Sequence, residues 1–369
     1  MTISPSSKLR TPSIFLTFIL LALLLSACGS GGGMRASSWP GVSLAEDTIY
    51  IAFGQFVYSV DLESGRVNWT YPAEADRNTT FYAPPALSSD GETLVVGSYS
   101  QTVYGLNAQS GTNMPLWVFE EAEDRIIGAP LIVEDRVLIP TALGRVFALD
   151  LESGQSIWAE PFEAEHAIWS SPIVQEDRIY VGGLDHYVYS ISLEDGQVNW
   201  STDLGSAIAD SPTLTNGLLL SGTFAGTLSA LDAQTGRIEW EFQADDAIWG
   251  SPVVQDGVAY FGDVAGEAHA VEIETGRELW RHELSGPASA SPVVQDETVY
   301  FVTEVGQMDA LLLESGEPAW PASATMAGRL LADPLSSSEG ILVPAMESEC
   351  LIYAVEPETG AVRCLFATE

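Results

Sequence analysis

Residues 268–280 read AHAVEIETGRELW, residues 228–240 read LSALDAQTGRIEW, and residues 146–158 read VFALDLESGQSIW. Each phrase alternates apolar and small or polar positions, turns at a Ser/Thr-Gly pair, and resumes in a short run that ends on tryptophan. Alternation of period two is the signature of a half-buried strand, and Gly is the residue a tight turn accepts at positive φ. Each phrase is therefore two strands and the turn between them.

The phrase recurs along the chain. Its closing tryptophans are Trp69, Trp117, Trp158, Trp200, Trp240, Trp280 and Trp320, at spacings of 48, 41, 42, 40, 40 and 40 residues. An eighth copy, TGAVRC, ends at Cys364 instead. A second marker keeps the same beat: Pro40, Pro85, Pro130, Pro172, Pro212, Pro252, Pro292 and Pro334. A fixed period of this length signals a repeat architecture. Within one unit, residues 251–284, PVVQ is a short apolar run and the Asp256-Gly257 pair a tight hairpin turn. The runs VAYFGD, EAHAVEI and RELWRHEL follow as further strands. Four short strands per unit make a meander. Eight such sheets stacked radially bury one another and leave only short edges. The expected fold is all-β, an eight-bladed β-propeller of four-stranded antiparallel blades over residues 36–369.

The phrase resembles the pyrroloquinoline-quinone (PQQ) type propeller repeat, whose consensus runs Tyr-Ala-Leu-Asp, two residues, Thr-Gly, three residues, Trp. WD40 units, of similar period, need Gly-His and Trp-Asp dipeptides that are not in register here. The resemblance implies that the turn glycine and the tryptophan dock neighbouring blades, so the seven repeat tryptophans are structural. It also raises PQQ-dependent catalysis, and the residues argue against it. Quinone dehydrogenases of this fold carry long insertions and two adjacent cysteines, whereas this chain has short blade connections and no Cys-Cys pair. No catalytic constellation stands out, and neither a cofactor nor a metal is expected.

The N-terminus has its own logic. A polar, basic MTISPSSKLR precedes the apolar SIFLTFILLALLL, and the segment ends LSAC at Cys28. Residues 1–27 read as an export signal, too short in its apolar run for an ordinary spanning helix. LSAC resembles the bacterial lipobox, which makes Cys28 the lipidated first residue of the mature chain. GSGGG then opens a flexible tether over residues 28–35. The family resemblance is to BamB, the lipid-anchored outer-membrane β-barrel assembly lipoproteins. It implies a non-enzymatic, monomeric scaffold that meets barrel-assembly machinery at the periplasmic face of the outer membrane. Gly29, where Asp would signal inner-membrane retention, agrees with that location. The alternatives are a surface ligand- or glycan-binding propeller of a monoderm or halophilic bacterium and, distantly, the dehydrogenase.

Net charge is −37, and −39 without Lys8 and Arg10; every later basic residue is Arg. So acidic a surface repels nucleic acid and anionic headgroups, which leaves the lipid as the membrane contact. It also admits basic partners, or serves solubility alone. Cys350 and Cys364 flank one hairpin in an exported chain, where a disulfide is permitted. Strict counting around the turn sets Cys364 opposite Tyr353, so a Cys350–Cys364 bridge requires a bulge.

The loops joining one blade to the next share a face with the turns between second and third strands. Three residues before each marker proline this face is sampled by Ser37, Tyr82, Ile127, Trp169, Ala209, Trp249, Ser289 and Leu331. Aromatics occur only at Tyr82, Trp169 and Trp249, on alternating blades. Arg125, His166, Asp245 and Asp246 are expected nearby, with Tyr99, Arg145, Asp185, His186 and Glu267 from the turns. These rings either plug the channel mouth by packing together or form a partner platform, since exposed aromatics with Arg are common interface anchors. His166, Asp185 and His186 share one blade but have no fixed ligand spacing, and His269 and His282 read as ordinary strand residues.

Overall fold

The structure, a computed structural model, describes residues 39–112 and 114–368. The signal-peptide and tether readings, Cys28 included, lie outside these residues. The described chain forms eight four-stranded sheets, each ordered as in sequence. Blades 1 to 8 run over 41–71, 86–119, 131–163, 173–203, 213–243, 253–283, 293–325 and 335–367. All pairings are antiparallel; in blade 6, Val253↔Tyr260, Tyr260↔Ala270 and Ala270↔Trp280 carry the register across all four strands. Among the described residues no helix is long and apolar enough to cross a membrane.

Local chemistry explains the repeat. Asp256 and Gly257 both take positive φ, 50° and 81°, as the first hairpin of blade 6 requires. In the ALDAQTG phrase, the Asp232 carboxylate accepts the Thr235 backbone N–H at 2.8 Å and its hydroxyl at 2.6 Å. These bonds hold Asp232 below the usual carboxylate range and fix the turn before the outer strand.

The core lies between blades. One buried cluster joins Leu220, Leu228 and Ala230 of blade 5 to Ala259, Phe261 and Val271 of blade 6. The repeat tryptophans stand on these seams. Their indole N–H groups donate to carbonyls of the next blade: Trp69 to Ala108 (2.9 Å), Trp117 to Leu151 (2.8 Å), Trp158 to Leu193 (3.2 Å), Trp200 to Ala233 (3.1 Å), Trp240 to Ile273 (2.8 Å), Trp280 to Leu313 (2.8 Å) and Trp320 to Pro357 (2.8 Å). The next blade's turn glycine lies on each indole.

The ring closes differently. Blade 1 places Gly65 against the Leu365 carbonyl of blade 8, and Tyr58 lies 5.4 Å from Phe366. Val42, Ile49, Ile51 and Val60 bury there against Leu342, Ile352 and Leu365. Cys364 occupies the tryptophan's register, opposite Tyr353, while register shifts set Cys350 opposite Ala367. Cys350 and Cys364 form a disulfide with Cα atoms 5.8 Å apart. The irregular ladder supplies the bulge that strict counting lacks.

Candidate functional site

The loop face is built by a repeated device. The turn between second and third strands bonds the loop leading into its own blade: Leu184 N–H to Ala167 O (2.9 Å), Phe224 to Ala207 (2.9 Å), Val264 to Ala247 (3.0 Å). The same loop reaches the blade before: Ile168 N–H bonds Thr141 O at 3.3 Å and Ile248 bonds Thr223 O at 3.0 Å. Ile168 and Ile248 are buried. A glycine makes room for this isoleucine, as where a Cβ on Gly222 would stand 2.4 Å from Ile248. With the isoleucine anchored inward, the next residue faces outward. That residue is Trp169 in blade 4 and Trp249 in blade 6, 37% and 41% exposed.

The three singled-out aromatics have different surroundings. Trp249 stacks on Phe224 of blade 5, centroids 4.7 Å apart and planes at 13°. At Phe224's turn position blade 3 has Ala142, followed by Leu143, 52% exposed. Among the described residues no aromatic ring is stacked on Trp169. Tyr82 departs from the platform expectation, being only 6% exposed. It is wedged between Trp39 at 5.8 Å and Tyr99 at 4.8 Å. A tyrosine flanked by two rings is covered by them, so the exposed aromatics of this sector are Trp39 and Tyr99. Arg125 completes the row, its guanidinium 5.3 Å from the Tyr99 ring centre and donating to the Tyr99 hydroxyl at 3.0 Å. That bond holds Arg125 above its usual value.

The charged residues pair locally. Arg145 bonds Glu123 and Glu163, both of which raise its pKa. Arg281 bonds Glu278 at 3.1 Å and Asp245 at 3.3 Å. Asp246 accepts the Ala247 backbone N–H at 2.7 Å. Glu267 donates its backbone N–H to Asp263 at 2.9 Å. His166 and His186 are exposed. Asp185 is buried, accepting the Tyr189 hydroxyl at 2.7 Å and the Glu165 N–H at 3.0 Å; burial, then this carboxylate, pushes the Tyr189 pKa up. Asp185 is thus committed to its turn. Among the described residues no three His, Cys, Asp or Glu side chains are grouped to hold a metal ion.

Three features escaped the sequence reading. A cavity of about 810 Å³ opens on blade 3, lined by Glu120, Glu121, Glu123, Arg145, Glu160 and Glu163 among others. Its cause is local: the outer strand of blade 3 pairs only over Phe162–Glu163, whereas blade 4 pairs over Val198–Asp203. Pro161, with no N–H to donate, ends the strand. Second, the serines before the marker prolines of blades 4 to 7 form a hydrogen-bonded belt along that arc, with Ser171 N–H on Ser211 Oγ at 2.9 Å and Ser251 N–H on Ser291 Oγ at 3.0 Å. Two carboxylates join it. Asp210 accepts the Ser251 N–H at 2.8 Å and the Ser291 hydroxyl at 3.0 Å, while Asp333 accepts the Ser291 N–H at 2.7 Å. Asp333 is solvent-exposed, and the protein packed around it together with the nearby Asp210 raises its pKa well above the usual carboxylate range. Third, His269 is fully buried against Phe261 and presents its two ring nitrogens to Glu278 at 3.1 Å and Asp263 at 3.3 Å. It is no ordinary strand residue. Burial disfavours both carboxylates as anions, but the His269 bonds, joined by backbone N–H groups at Asp263 and by Arg281 at Glu278, together outweigh it and both pKa values are lowered.

The repeat geometry agrees with comparison to known proteins. A family described as outer membrane protein assembly factor BamB matches residues 30–171, 164–248 and 246–364. The chain belongs to this family. Among solved structures, BamB from Moraxella catarrhalis superposes with a TM-score of 0.70 at 20% identity, over 82% of this chain and 92% of that one. The computationally designed Ika8 protein gives 0.72 at 15% identity, over 86% and 95%. At such identities the likeness is one of fold. Among curated protein sequences nothing matches.

Proposed function

We propose that this protein is a non-enzymatic scaffold of the BamB kind, docking a protein partner of the outer-membrane barrel-assembly machinery on its loop face. Membership of the BamB family supports the scaffold role. The observation that carries the docking face is the pair of outward tryptophans, Trp169 and Trp249, on loops whose neighbouring isoleucines are buried. Each indole keeps part of its surface in water, and burying that part against a partner is favourable. In this reading the chain is lipid-anchored at Cys28 on the periplasmic face of the outer membrane, monomeric, and uses no cofactor.

The test is site-specific crosslinking. Photoreactive residues at 169 and 249, in the full-length protein in native membranes, are expected to capture a barrel-assembly component. Capture of a glycan instead would move the assignment to a surface ligand-binding propeller.

A further inference from the structure

The junction of blades 3 and 4 carries the face's unfilled aromatic site. Trp249 already has Phe224 stacked on it, but at Trp169 the matching position is Ala142. Leu143 beside it is exposed. The carbonyls of Ala164 and His166, in the loop leading to Trp169, lie close to Gly144 of the turn. The next residue, Arg145, is in the wall of the blade 3 cavity, and Glu163 at the start of that loop is in the wall too. The turn that carries Ala142 and Leu143 thus runs on into the cavity wall at Arg145, and the loop that carries Trp169 sets out from that wall at Glu163.

The charge at this junction is one-sided. The single arginine among the charged cavity residues is held by Glu123 and Glu163. Glu120, Glu121 and Glu160 are exposed, and no ion pair engages them among the described residues. An anionic ligand would be repelled; a cation would be drawn in. The face itself shows how a guanidinium is held beside an aromatic ring, in Arg125 over Tyr99. Building on the docking-face reading above, we infer that the occupant of this junction is an extended, arginine-bearing segment of the partner protein, with an apolar or aromatic residue on Trp169 and Leu143 and its cationic side chain toward Glu120, Glu121 and Glu160.

The test titrates the full-length protein with a short synthetic peptide of alternating arginine, phenylalanine and glycine, and with its counterpart carrying glutamate for arginine, following tryptophan fluorescence and calorimetric heat. The arginine peptide is expected to bind, more weakly as salt rises from roughly 50 to 500 mM, and the glutamate peptide not to bind. Trp169→Ala should lower affinity about tenfold or more, as loss of an aromatic anchor does. The combined Glu120→Gln, Glu121→Gln and Glu160→Gln variant should lower it and flatten the salt dependence. The combined Glu241→Gln and Glu283→Gln variant, at exposed positions on the outer strands of blades 5 and 6, should leave the affinity nearly unchanged, which separates this site from general attraction to an acidic surface. Equal binding of both peptides, or arginine-peptide binding indifferent to Trp169→Ala, overturns the inference. If the arginine peptide does not bind while crosslinkers at 169 and 249 still capture an assembly component, the inference falls and the docking-face reading stands. If the peptide binds as expected but the crosslinkers capture no assembly component, that reading falls and the site stands.

Discussion

Gly154 of blade 3 lies on the indole of Trp117 of blade 2 so closely that a Cβ there would stand 2.5 Å from the ring. Its φ of 68° is also one that side chains resist. Gly154→Ala therefore combines overlap with backbone strain and should destabilise the propeller by about 1–3 kcal/mol. Trp117→Phe keeps most of the apolar contact but leaves the Leu151 carbonyl without its donor, at a cost of about 1–3 kcal/mol. Urea unfolding midpoints check both. A Gly154→Ala protein as stable as the wild type would mean that the seam is looser than this contact implies.

At the eighth seam no indole stands, and a disulfide ties the third and fourth strands of blade 8 to each other. The Cys350–Cys364 bridge spans 14 residues, and a loop of about that size restricts the unfolded chain by about 3 kcal/mol. Replacing both cysteines by alanine should lower Tm, and reductant should lower the wild-type Tm but not that of the double variant. Hydrogen exchange should then rise first in strands Cys350–Val355 and Val362–Ala367 of blade 8.

The repeat made the architecture legible because its markers are consequences of geometry. Gly154 had to be glycine to meet Trp117, and Asp232 had to carry a short side-chain acceptor to hold its turn, as Asn107 does in blade 2, so each position reads in one dimension. The outward pair Trp169 and Trp249 was legible for the opposite reason, as a departure from the repeat. What escaped depends on contacts between distant copies. Asp210 bonds Ser291, 81 residues away, across two blades, and no local pattern encodes that reach. Tyr82 had the right loop position, but whether a ring is open or covered depends on Trp39 and Tyr99, from two other segments. The blade 3 cavity goes with an interrupted outer strand, where Pro161 and two extra residues between Trp158 and Glu163 break the ladder, signals present in the sequence but weightless until the shortened strand is seen.

His269 is where a polar group sits deepest. With Asp263 fully buried beside it and Glu278 on its other nitrogen, His269→Leu removes the shared partner of two carboxylates. Leaving a buried hydrogen-bonding group without its partner costs about 1–3 kcal/mol, more where the group is charged, and two carboxylates lose theirs here, so this variant should be among the least stable single substitutions in blade 6. Glu278→Gln should cost much less, because Glu278 is partly exposed and its amide can still meet the ring. The comparison of the two by thermal denaturation tests whether the buried triad, rather than the volume of the imidazole, carries the stability. His269→Phe, which restores volume but not the bonds, should behave like His269→Leu.

The Asp210–Asp333 pair gives the channel belt a pH dependence whose sign follows from the direction of the shift. Asp333 holds its proton in the folded protein up to about pH 7, while in the unfolded chain it gives the proton up near the ordinary carboxylate value of about 4. Between those values the folded state binds more protons than the unfolded one, so this site's contribution to stability falls as pH rises. Above about pH 7 the ionised Asp333 faces Asp210 across the Ser291 contact, and the repulsion is fully present. Asp333→Asn keeps an oxygen for the Ser291 N–H and can offer its amide to Asp210, with no charge to repel. The variant should match the wild type near pH 4 and exceed it at pH 8, by a small margin in Tm, because Asp333 is exposed and water screens the repulsion. Asp210→Asn should relieve the same repulsion at pH 8, but it also weakens an acceptor that holds both Ser251 and Ser291, so its gain should be smaller. A Tm difference between Asp333→Asn and wild type that stays constant from pH 4 to pH 8 would mean that Asp333 titrates as an ordinary carboxylate and that the belt is not pH-sensitive at this point.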